Sequence, residues 1–225
     1  MKSASPTFSN NQIDKLGERL KAGNPSDDDL TMLSTYRNGF ADAAKAVADT
    51  VREISGLVVT ARSLKTTLSI VAKLKRDGVK QLSSMQDIGG CRVTVVTLIE
   101  QDKLVEKLTI ALPDAKLYDR VAKPSHGYRA KHLVVKTKGK RIEIQVRTRL
   151  QHQWALLSEN AADLFGQEIK YGLGDLRVVQ VLAEVSESFK KRDELNPPLP
   201  FLDSVELGFE NLRQRFLRMK NDLLH

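Results

Sequence analysis

The sequence predicts an α+β protein in which strand-forming segments are grouped in the middle of the chain, between helical ends. β-Branched residues alternate over residues 91–96, which is the period of a strand. Two further strand runs, 132–138 and 141–147, are separated by Gly139 and Lys140 and predict a hairpin. Towards both ends, apolar residues recur every three or four positions, as in amphipathic helices. At 225 residues, one compact domain with appended helices is expected.

Helical patterns begin near the N-terminus. Apolar residues within 13–20 predict a first helix that ends at Gly23. Ser26 and the three Asp residues after it are typical of a helix N-terminus, because their oxygens accept hydrogen bonds from free backbone amides. Apolar positions across residues 30–54 then predict one long helix, which Gly56 ends.

Shorter elements fill the centre of the chain. Residues 57–60 indicate a short strand or an extended link, and residues 66–77 a lysine-rich helix that Gly78 closes. Beyond the strand at 91–96, residues 99–112 predict a helix and residues 115–120 an extended segment.

Three helices are predicted after the hairpin, at about 150–165, 175–194 and 203–224, with a proline-rich break at 196–200. The last helix carries an apolar stripe at heptad-like steps. The stripe consists of Val205, Phe209, Leu212, Phe216, Met219 and Leu223. We expect it to pack on the chain's own N-terminal helices, and the alternative is a subunit interface.

Composition narrows the functional classes. A net charge of +8 and a pI near 9.5 favour anionic partners such as nucleotides or RNA. The single cysteine, Cys91, excludes an internal disulfide and a cysteine-based zinc site, and it fits a reducing cytosol. No apolar run approaches the ~18 residues of a membrane span, and residues 1–10 lack the apolar core of a signal peptide. A cytoplasmic protein without membrane association is expected.

The positive charge is concentrated between Lys116 and Arg149. Eleven Lys and Arg residues occur there with two acids, Asp119 and Glu143, so this stretch carries +9 and the rest of the chain is nearly neutral. Such a density of cations attracts phosphate through Coulomb attraction and forked hydrogen bonds. An isolated Glu143 among cations is what a metal-assisted phosphoryl or pyrophosphoryl transfer site would require.

A second basic segment, residues 62–76, contains five cations and no acid. Lys65, Ser69 and Lys73 follow one another at four-residue steps, so one side of a helix would carry all three. Such a row can bind a polyphosphate. The alternative is a solvated basic face, which this segment taken alone favours.

Two carboxylates supply a candidate Mg²⁺ site. Alternate positions of the strand 141–147 form a polar face that includes Glu143, whereas the Ile and Val residues between them point to the core. Asp87 leads into the strand 91–96 through two glycines that allow a tight bend, and taken alone it could equally be a turn residue. Together the two acids suit Mg²⁺, which prefers a few carboxylates plus phosphate oxygens. Near them in sequence, Tyr128 offers a ring on which a nucleobase could stack.

Three motifs resemble the synthetase domain of the RelA/SpoT family, whose members make the alarmone (p)ppGpp. They are Asp87-Ile-Gly-Gly-Cys-Arg92, Lys123-Pro-Ser-His-Gly-Tyr-Arg-Ala-Lys-His132 and Glu143-Ile-Gln-Val-Arg-Thr148. Residues 65–74 are similar to the ATP-binding helix of the family, and His152-Gln-Trp154 is similar to the helix that follows. The likeness covers about residues 60–172 in the family's order.

The resemblance implies a nucleotidyltransferase-like mixed β-sheet of about five strands surrounded by helices. It places the synthetase domain over residues 57–172. The helical patterns on either side then predict N-terminal helices over residues 1–56 that pack on the catalytic domain and a C-terminal helical hairpin over 173–225. The implied reaction is the Mg²⁺-dependent transfer of the β,γ-pyrophosphate of ATP to the 3′-hydroxyl of GTP or GDP. We therefore expect a small alarmone synthetase of the GTP pyrophosphokinase type.

The resemblance also implies roles for the residues at matching positions. Asp87 and Glu143 would bind Mg²⁺, and Glu143 would also take the proton from the attacking hydroxyl. Tyr128 would stack on the acceptor guanine. The ATP phosphates would be held by Arg62, Lys65, Ser69, Lys73 and Arg76. The acceptor side would be lined by Lys123, Arg129, His132, Gln145, Arg147 and His152.

The sequence departs from the family pattern at three points. Arg62 lies three residues before Lys65, where two is the commoner spacing, which leaves its role in ATP binding open. The acceptor loop reads Lys123-Pro-Ser-His-Gly-Tyr in place of Pro-Lys-Pro-x-Gly-Tyr, which leaves the acceptor open. None of the four His residues is followed by Asp, so the hydrolase activity of longer family members is expected to be absent.

Two alternative functions remain. The same chemistry could act on the tRNA 3′ end or on adenosine nucleotides, as in toxic small members of the family. A non-catalytic module that binds nucleotides or RNA is the second alternative, but binding alone would not need two acids in a phosphate site. The expected substrates are ATP and GTP or GDP. A tRNA, an antitoxin and a second copy of the chain, joined through the C-terminal helices, are further candidate partners.

Overall fold

The computed structural model describes residues 8–76, 81–195, 211–212 and 214–221. The helices are α1 (Asn10–Ala22), α2 (Asp27–Asn38), α3 (Ala41–Ser55), α4 (Thr67–Arg76), α5 (Leu98–Ala111), α6 (Arg149–Phe165) and α7 (Leu176–Glu194). The strands are β1 (Val59–Ala61), β2 (Gly89–Val95), β3 (Lys116–Asp119), β4 (Lys131–Thr137) and β5 (Lys140–Thr148). Two 3₁₀ turns cover Leu82–Ser84 and Gln167–Tyr171.

The five strands form one mixed sheet in the order β1-β2-β5-β4-β3. The predicted fold class, a five-stranded mixed sheet with helices around it, is confirmed. The predicted hairpin joins β4 to β5. Lys138 and Gly139 both have positive φ angles, of 49° and 72°, as a two-residue hairpin turn of the primed type requires.

The chain divides into two compact units. The first takes the described residues within 1–92, 108–116 and 133–145, and the second those within 93–107, 117–132 and 146–225. Strands β2, β3, β4 and β5 each supply residues to both units. The predicted domain boundaries lie at residues 56 and 172 and differ from the boundaries of the compact units. The division into a synthetase domain and two helical extensions stays a prediction.

In the first unit, the long helix predicted across residues 30–54 is wrong, because the chain breaks it at Gly39 and Phe40. The Gly39 amide donates to Thr35 O at 3.2 Å, and α3 starts two residues later. The apolar period continues across the break since Phe40 is itself buried, with its ring 5.2 Å edge-on from Tyr36. Helix α1 packs against α2, α4 and the first 3₁₀ turn.

In the second unit, helices α6 and α7 enclose a core around Trp154, whose indole Nε1 donates to Leu182 O at 2.8 Å. Residues 211–212 and 214–221 are helical, and Phe216 is buried against the Phe165 ring. The expected packing of this stripe on the N-terminal helices is therefore wrong for its described part, which packs on the α6–α7 core. Val205, Phe209, Leu223, Gly78 and the break at 196–200 lie outside the described residues.

Within the described ranges, no helix combines the length and the apolar character that crossing a bilayer would demand.

Candidate functional site

The first group of predicted site residues is brought together in the first unit. We call Arg62, Lys65, Lys73, Asp87, Glu143 and Gln145 the carboxylate cluster. The segment 62–65 runs beside residues 88–90, because the Arg62 amide donates to Gly90 O at 3.0 Å and the Lys65 amide donates to Ile88 O at 2.8 Å. These backbone bonds fix where the Arg62 and Lys65 side chains start.

Lys65 does not belong to the helical row that its spacing predicted. It precedes the first residue of α4 by two positions, so only Ser69 and Lys73 of the row are helical. Arg37 of α2 stabilises this position, since its Nε donates to Lys65 O at 2.7 Å. In the sequence, Arg37 lies in a predicted helix and no local pattern indicates this contact.

Asp87 forms ion pairs with two lysine side chains. Its Oδ2 lies 3.1 Å from Lys65 Nζ and 3.0 Å from Lys73 Nζ. Burial raises the pKa of Asp87, but the charges of Lys73 and Lys65 outweigh burial and hold the pKa below its ordinary value. The carboxylate is thus ionised at neutral pH, and Lys65 and Lys73 are both within reach of the same anionic group.

Glu143 lies on β5 and is 7% exposed. Its Oε2 accepts from Arg62 Nη1 and from Gln145 Nε2, each at 2.7 Å. The neighbouring strand requires Gly90 here, because a Cβ at that position would stand 2.3 Å from Glu143 O. The two glycines expected to form a bend before a strand instead lie inside β2 and allow β2 and β5 to approach closely.

The carboxylate cluster fits a Mg²⁺ ion. Asp87 Oδ1 is buried and has no hydrogen-bond partner among the residues that the structure describes, so one carboxylate oxygen is available for a ligand. The charge of Glu143 acts on Asp87 and raises its pKa, which indicates that the two acids are close. The described residues contain no group of three or more His, Cys, Asp and Glu side chains that could hold a metal ion by themselves. Two carboxylates suffice for Mg²⁺, which keeps waters and takes phosphate oxygens.

The other two residues predicted for ATP lie on the exposed surface of α4. Ser69 Oγ accepts from Thr66 Oγ1 at 2.9 Å. Arg76 is the last residue of α4. Both residues share α4 with Lys73. Their contact with ATP stays a prediction.

The second group is brought together in the second unit by an unusual loop. His126 and Gly127 have positive φ angles, of 49° and 87°, and Ser125 and Tyr128 pair through their backbones at 2.9 and 3.2 Å. Position 127 requires glycine for two reasons. Its φ is positive, and a Cβ there would stand 2.8 Å from the Trp154 ring. The loop therefore presents Tyr128 in one fixed orientation.

Tyr128, His132 and Arg147, which we call the Tyr128 cluster, share hydrogen bonds. The Tyr128 hydroxyl lies 2.8 Å from His132 Nε2 and accepts from Arg147 Nη2 at 2.9 Å. The Arg147 guanidinium lies 5.1 Å from the centre of the Tyr128 ring, a cation–π distance. Arg147 is 3% exposed, so the end of β5 holds a buried cation against the ring.

A cavity of about 240 Å³ opens beside the Tyr128 ring. Tyr128 and Arg147 of the predicted acceptor residues line it. The remaining lining side chains are Ser125, Trp154, Ala155, Ser158, Glu159, Lys170 and Tyr171. The steps of α6 put its four contributors on one side of that helix, which the sequence could have suggested. Lys170 and Tyr171 come from the second 3₁₀ turn, and only the tertiary fold brings that turn to α6.

The other predicted acceptor residues have different surroundings. Arg129 is directed to α7, where it donates to Ser186 and pairs with Glu187 at 3.1 Å. Lys123 is exposed, His152 is half-buried in the first turns of α6, and Gln145 donates to Glu143 in the first unit. Their predicted contact with the acceptor stays a prediction.

Known proteins resemble this chain in sequence and in fold. Residues 62–163 match the family described as a region found in RelA / SpoT proteins. Uncharacterized proteins of Mycobacterium tuberculosis and Mycobacterium bovis are each 34% identical over 187 residues, which is 80% of this chain and 67% of theirs.

Two solved structures share the fold. The small alarmone synthetase 1 from Bacillus subtilis superposes with a TM-score of 0.57 at 24% identity, over 72% of this chain and 93% of that one. A GTP pyrophosphokinase family protein from Streptococcus pneumoniae gives a TM-score of 0.57 at 20% identity, over 81% and 97%. The motifs, the matched region and the mixed sheet agree, and residues 62–163 place this chain in the RelA/SpoT family.

Proposed function

We propose that this chain transfers the β,γ-pyrophosphate of ATP to the 3′-hydroxyl of GTP or GDP and so makes (p)ppGpp. The observation that carries the proposal is the carboxylate cluster, in which the half-buried Asp87 and the buried Glu143 are surrounded by three cations. A site that only bound nucleotides would gain nothing from acids beside its phosphates. A transfer site needs them for a metal and for a base.

The cations of the cluster would exchange one anionic partner for another when ATP binds. Without nucleotide, Lys65 and Lys73 neutralise Asp87, and Arg62 neutralises Glu143. Phosphate oxygens offer the same cations stronger, multiply charged acceptors. We infer that the three cations turn to the phosphates, which leaves both carboxylates to act on the reaction.

Mg²⁺, when bound by Asp87 and Glu143, would neutralise charge on the phosphates and orient them. The residues of this chain do the remaining work. Gln145 donates to Oε2 of Glu143 and keeps the orientation of that carboxylate when Arg62 turns to the phosphates. Before ATP binds, Lys73 and Lys65 lower the pKa of Asp87 and so keep it charged.

Glu143 is the proposed base. It takes the proton of the 3′-hydroxyl as the 3′-oxygen forms a bond to the β-phosphorus of ATP. The bond between the β-phosphorus and the α,β-bridging oxygen breaks, and AMP leaves with that oxygen. Atoms and charges balance without any further reactant.

The Tyr128 cluster is the proposed acceptor site. The Tyr128 ring offers a face for stacking a nucleobase, and Arg147 and Lys170 add positive charge at the wall of the same cavity. Glu159 and Ser158 offer oxygens that can accept hydrogen bonds from the N–H groups of the base. Guanine carries two adjacent donors on one edge, whereas adenine carries one, so an acceptor-lined wall favours guanine.

The decisive experiment incubates the purified protein with Mg²⁺ and ATP labelled at the γ-phosphate. Parallel reactions contain GTP, GDP, an adenosine nucleotide or uncharged tRNA. We expect label in a 3′-pyrophosphorylated guanosine nucleotide, no label in RNA, and a product that persists because hydrolase activity is not expected. If the label migrated with tRNA or with an adenosine product, that molecule would be the acceptor in place of GTP or GDP. Absence of any labelled product would leave a binding module.

A further inference from the structure

The second unit contains another cavity, distinct from the one beside Tyr128. It measures about 230 Å³ and lies between α5, the turn at residues 119–122 and the C-terminal end of α7. Gln101 and Gln151 form part of its wall and hydrogen-bond each other at 2.8 Å. Most of the residues that line it are polar or charged, although the surface they turn to the cavity is mainly apolar. The nucleotide chemistry proposed above uses none of its acids.

The cations that line this cavity already have acidic partners. Lys131 pairs with Asp102 and lies 3.4 Å from Asp119. Two acids thus surround one ammonium group on the α5 side of the cavity. Asp119 also accepts from the amides of Val121 and Ala122, at 2.8 and 2.9 Å, which fixes the turn.

The cations on the α7 side of the cavity also have acidic partners. Lys190 lies 3.4 Å from Glu187 and 3.9 Å from Glu194, and Arg129 lies 3.1 Å from Glu187. In a chain with a net charge of +8, the wall of this cavity holds four acids and three cations. Phosphate would therefore meet a less favourable surface here than in the carboxylate cluster.

Asp193 is the acid in the wall that has no cation in an ion pair, within the part of the chain that the structure describes. It is 4% exposed, and its Oδ2 accepts from Thr148 Oγ1 at 2.7 Å. Its Oδ1 is buried and has no hydrogen-bond partner among the described residues. A buried carboxylate oxygen without a donor is costly, so the site needs a donor from elsewhere.

We propose that this cavity binds a small organic cation, whose ammonium or guanidinium group pairs with Asp193 Oδ1. Such a group supplies both the missing donor and the missing positive charge. This inference does not depend on the pyrophosphate transfer proposed above, because its residues and its ligand chemistry are different.

The bound cation would act on the segments that carry the Tyr128 cluster. Thr148, which donates to Asp193, follows Arg147 and caps α6 by accepting from the Gln151 amide at 3.1 Å. Arg129 follows Tyr128 and lies in the same cavity wall. A cation bound in the cavity would therefore restrict the motion of the two backbone segments that carry Tyr128 and Arg147.

The pairing requires an ionised Asp193. Burial raises the pKa of Asp193 to about 7, against the smaller lowering effects of the Thr148 hydrogen bond and the Arg129 charge. The other charged groups that line the cavity are of types that ordinarily keep a constant charge between pH 6 and 8. They are Asp102, Asp119, Glu194, Arg129, Lys131 and Lys190. Affinity for an organic cation is therefore expected to rise about tenfold from pH 6 to pH 8.

The test is isothermal titration of the nucleotide-free full chain with putrescine at pH 6 and pH 8. We expect saturable binding of one molecule at pH 8, about tenfold weaker binding at pH 6 and none of the uncharged analogue 1,4-butanediol. Asp193→Asn should reduce the affinity at pH 8 at least tenfold. Glu184→Gln is the matched control, because it removes one charge from an exposed position of α7 outside the cavity and should leave binding unchanged.

Two results would overturn the proposal. One is the absence of saturable putrescine binding at pH 8, which would leave Asp193 to a buried water. The other is binding that Asp193→Asn and Glu184→Gln weaken equally, which would indicate general attraction to acids. If Asp193→Asn did not fold, the pH dependence of the unchanged chain would decide, since pH-independent binding removes Asp193 from the site.

Discussion

The carboxylate cluster and the Tyr128 cluster hold their side chains in different ways. In the first, Asp87 and Glu143 are fixed by ion pairs of 2.7 to 3.1 Å with three cations. In the second, the position of Tyr128 is set by the positive φ of Gly127 and by two hydrogen bonds of its hydroxyl. We expect the first cluster to be sensitive to changes of charge and the second to changes of volume and backbone.

The half-buried Asp87 and the buried Asp193 also differ in how the fold treats their charge. Lys65 and Lys73 hold the pKa of Asp87 below its ordinary value although burial opposes them. Asp193 has one hydroxyl donor and no ion-paired cation among the described residues, and burial raises its pKa to about 7. An acid in such surroundings is fully ionised at neutral pH where the fold supplies cations, as it does at the proposed reaction site, whereas Asp193 is only about half ionised there.

The largest expected effect comes from removing one charge from the carboxylate cluster. Glu143→Gln keeps the shape of the side chain but cannot take a proton. We expect kcat for the proposed transfer to fall at least ~10³-fold, a typical cost for a lost base that also helps to bind the metal. ATP affinity should be unchanged or higher, because Arg62 loses its internal anionic partner and is available to phosphate.

Kinetics with labelled ATP and equilibrium titration with a non-hydrolysable ATP analogue separate these two effects. Glu106→Gln is the control, since it changes the same charge at an exposed position of α5. Equal turnover in Glu143→Gln and the unchanged chain would remove Glu143 from the mechanism.

The next largest effect tests the role of backbone shape in the Tyr128 cluster. Gly127→Ala places a Cβ 2.8 Å from the Trp154 ring at a φ of 87°. The matched variant Gly139→Ala has a φ of 72° but meets no atom within 4 Å. Both should lose ~1–2 kcal/mol to left-handed strain, and Gly127→Ala a further ~1–3 kcal/mol to overpacking.

Chemical denaturation measures the difference in stability, and steady-state kinetics measures its consequence for function. We expect Gly127→Ala to raise KM for the acceptor at least tenfold and to leave KM for ATP within about twofold. If Gly139→Ala damaged acceptor binding as much, the contact with Trp154 would not be what orients Tyr128.

A smaller effect is expected for Tyr128→Phe, which keeps the ring and removes its hydroxyl. Arg147 Nη2 and His132 Nε2 each lose one hydrogen-bond partner, so the cost is about 1–2 kcal/mol. KM for the acceptor should rise about tenfold, while Tyr128→Ala, which also removes the stacking face, should cost more. Equal effects of the two substitutions on KM would mean that the hydroxyl, and not the ring face, carries acceptor binding.

The sequence predicted the β5 part of the carboxylate cluster because the geometry of that part is local. The period of two along β5 put Glu143 and Gln145 on one face, and both lie there together with a hydrogen bond of 2.7 Å. The row at Lys65, Ser69 and Lys73 was wrong in its secondary structure, since Lys65 precedes α4. Lys65 nevertheless reaches Asp87, because a backbone bond to Ile88 sets its position.

The cavities could not be predicted in the same way. Lys170 and Tyr171 reach the Tyr128 cavity through the packing of a 3₁₀ turn on α6. Asp193 lies in a run of charged residues that is typical of a solvated helix face. In the fold it is buried and accepts a hydrogen bond from Thr148, which lies 45 residues away in sequence. Contacts between distant segments leave no periodic signal, so the sequence carries no local trace of them.

The smallest expected effect concerns stability and returns to the two aspartates. The pKa of Asp193 is raised in the fold, from 3.8 to about 7, so the protonated form is favoured by folding. Its contribution to stability is present below pH 4, is lost as the pH rises towards 7 and stays lost above it. Asp193→Asn should therefore stabilise the chain by roughly 1 kcal/mol or more at pH 8 and by nothing at pH 4.

Thermal or urea unfolding of the unchanged chain and of Asp193→Asn across pH 4 to 8 measures this difference. Asp87 supplies the opposite sign, because its pKa is lowered and its contribution is lost as the pH falls below its ordinary value. Asp87→Asn should thus destabilise the chain at pH 8, where Lys65 and Lys73 would lose their shared anion. Opposite signs for the two substitutions at pH 8 are required if ion-paired cations, and not burial alone, decide which buried acid is charged. Destabilisation by both would mean that a cation also compensates Asp193.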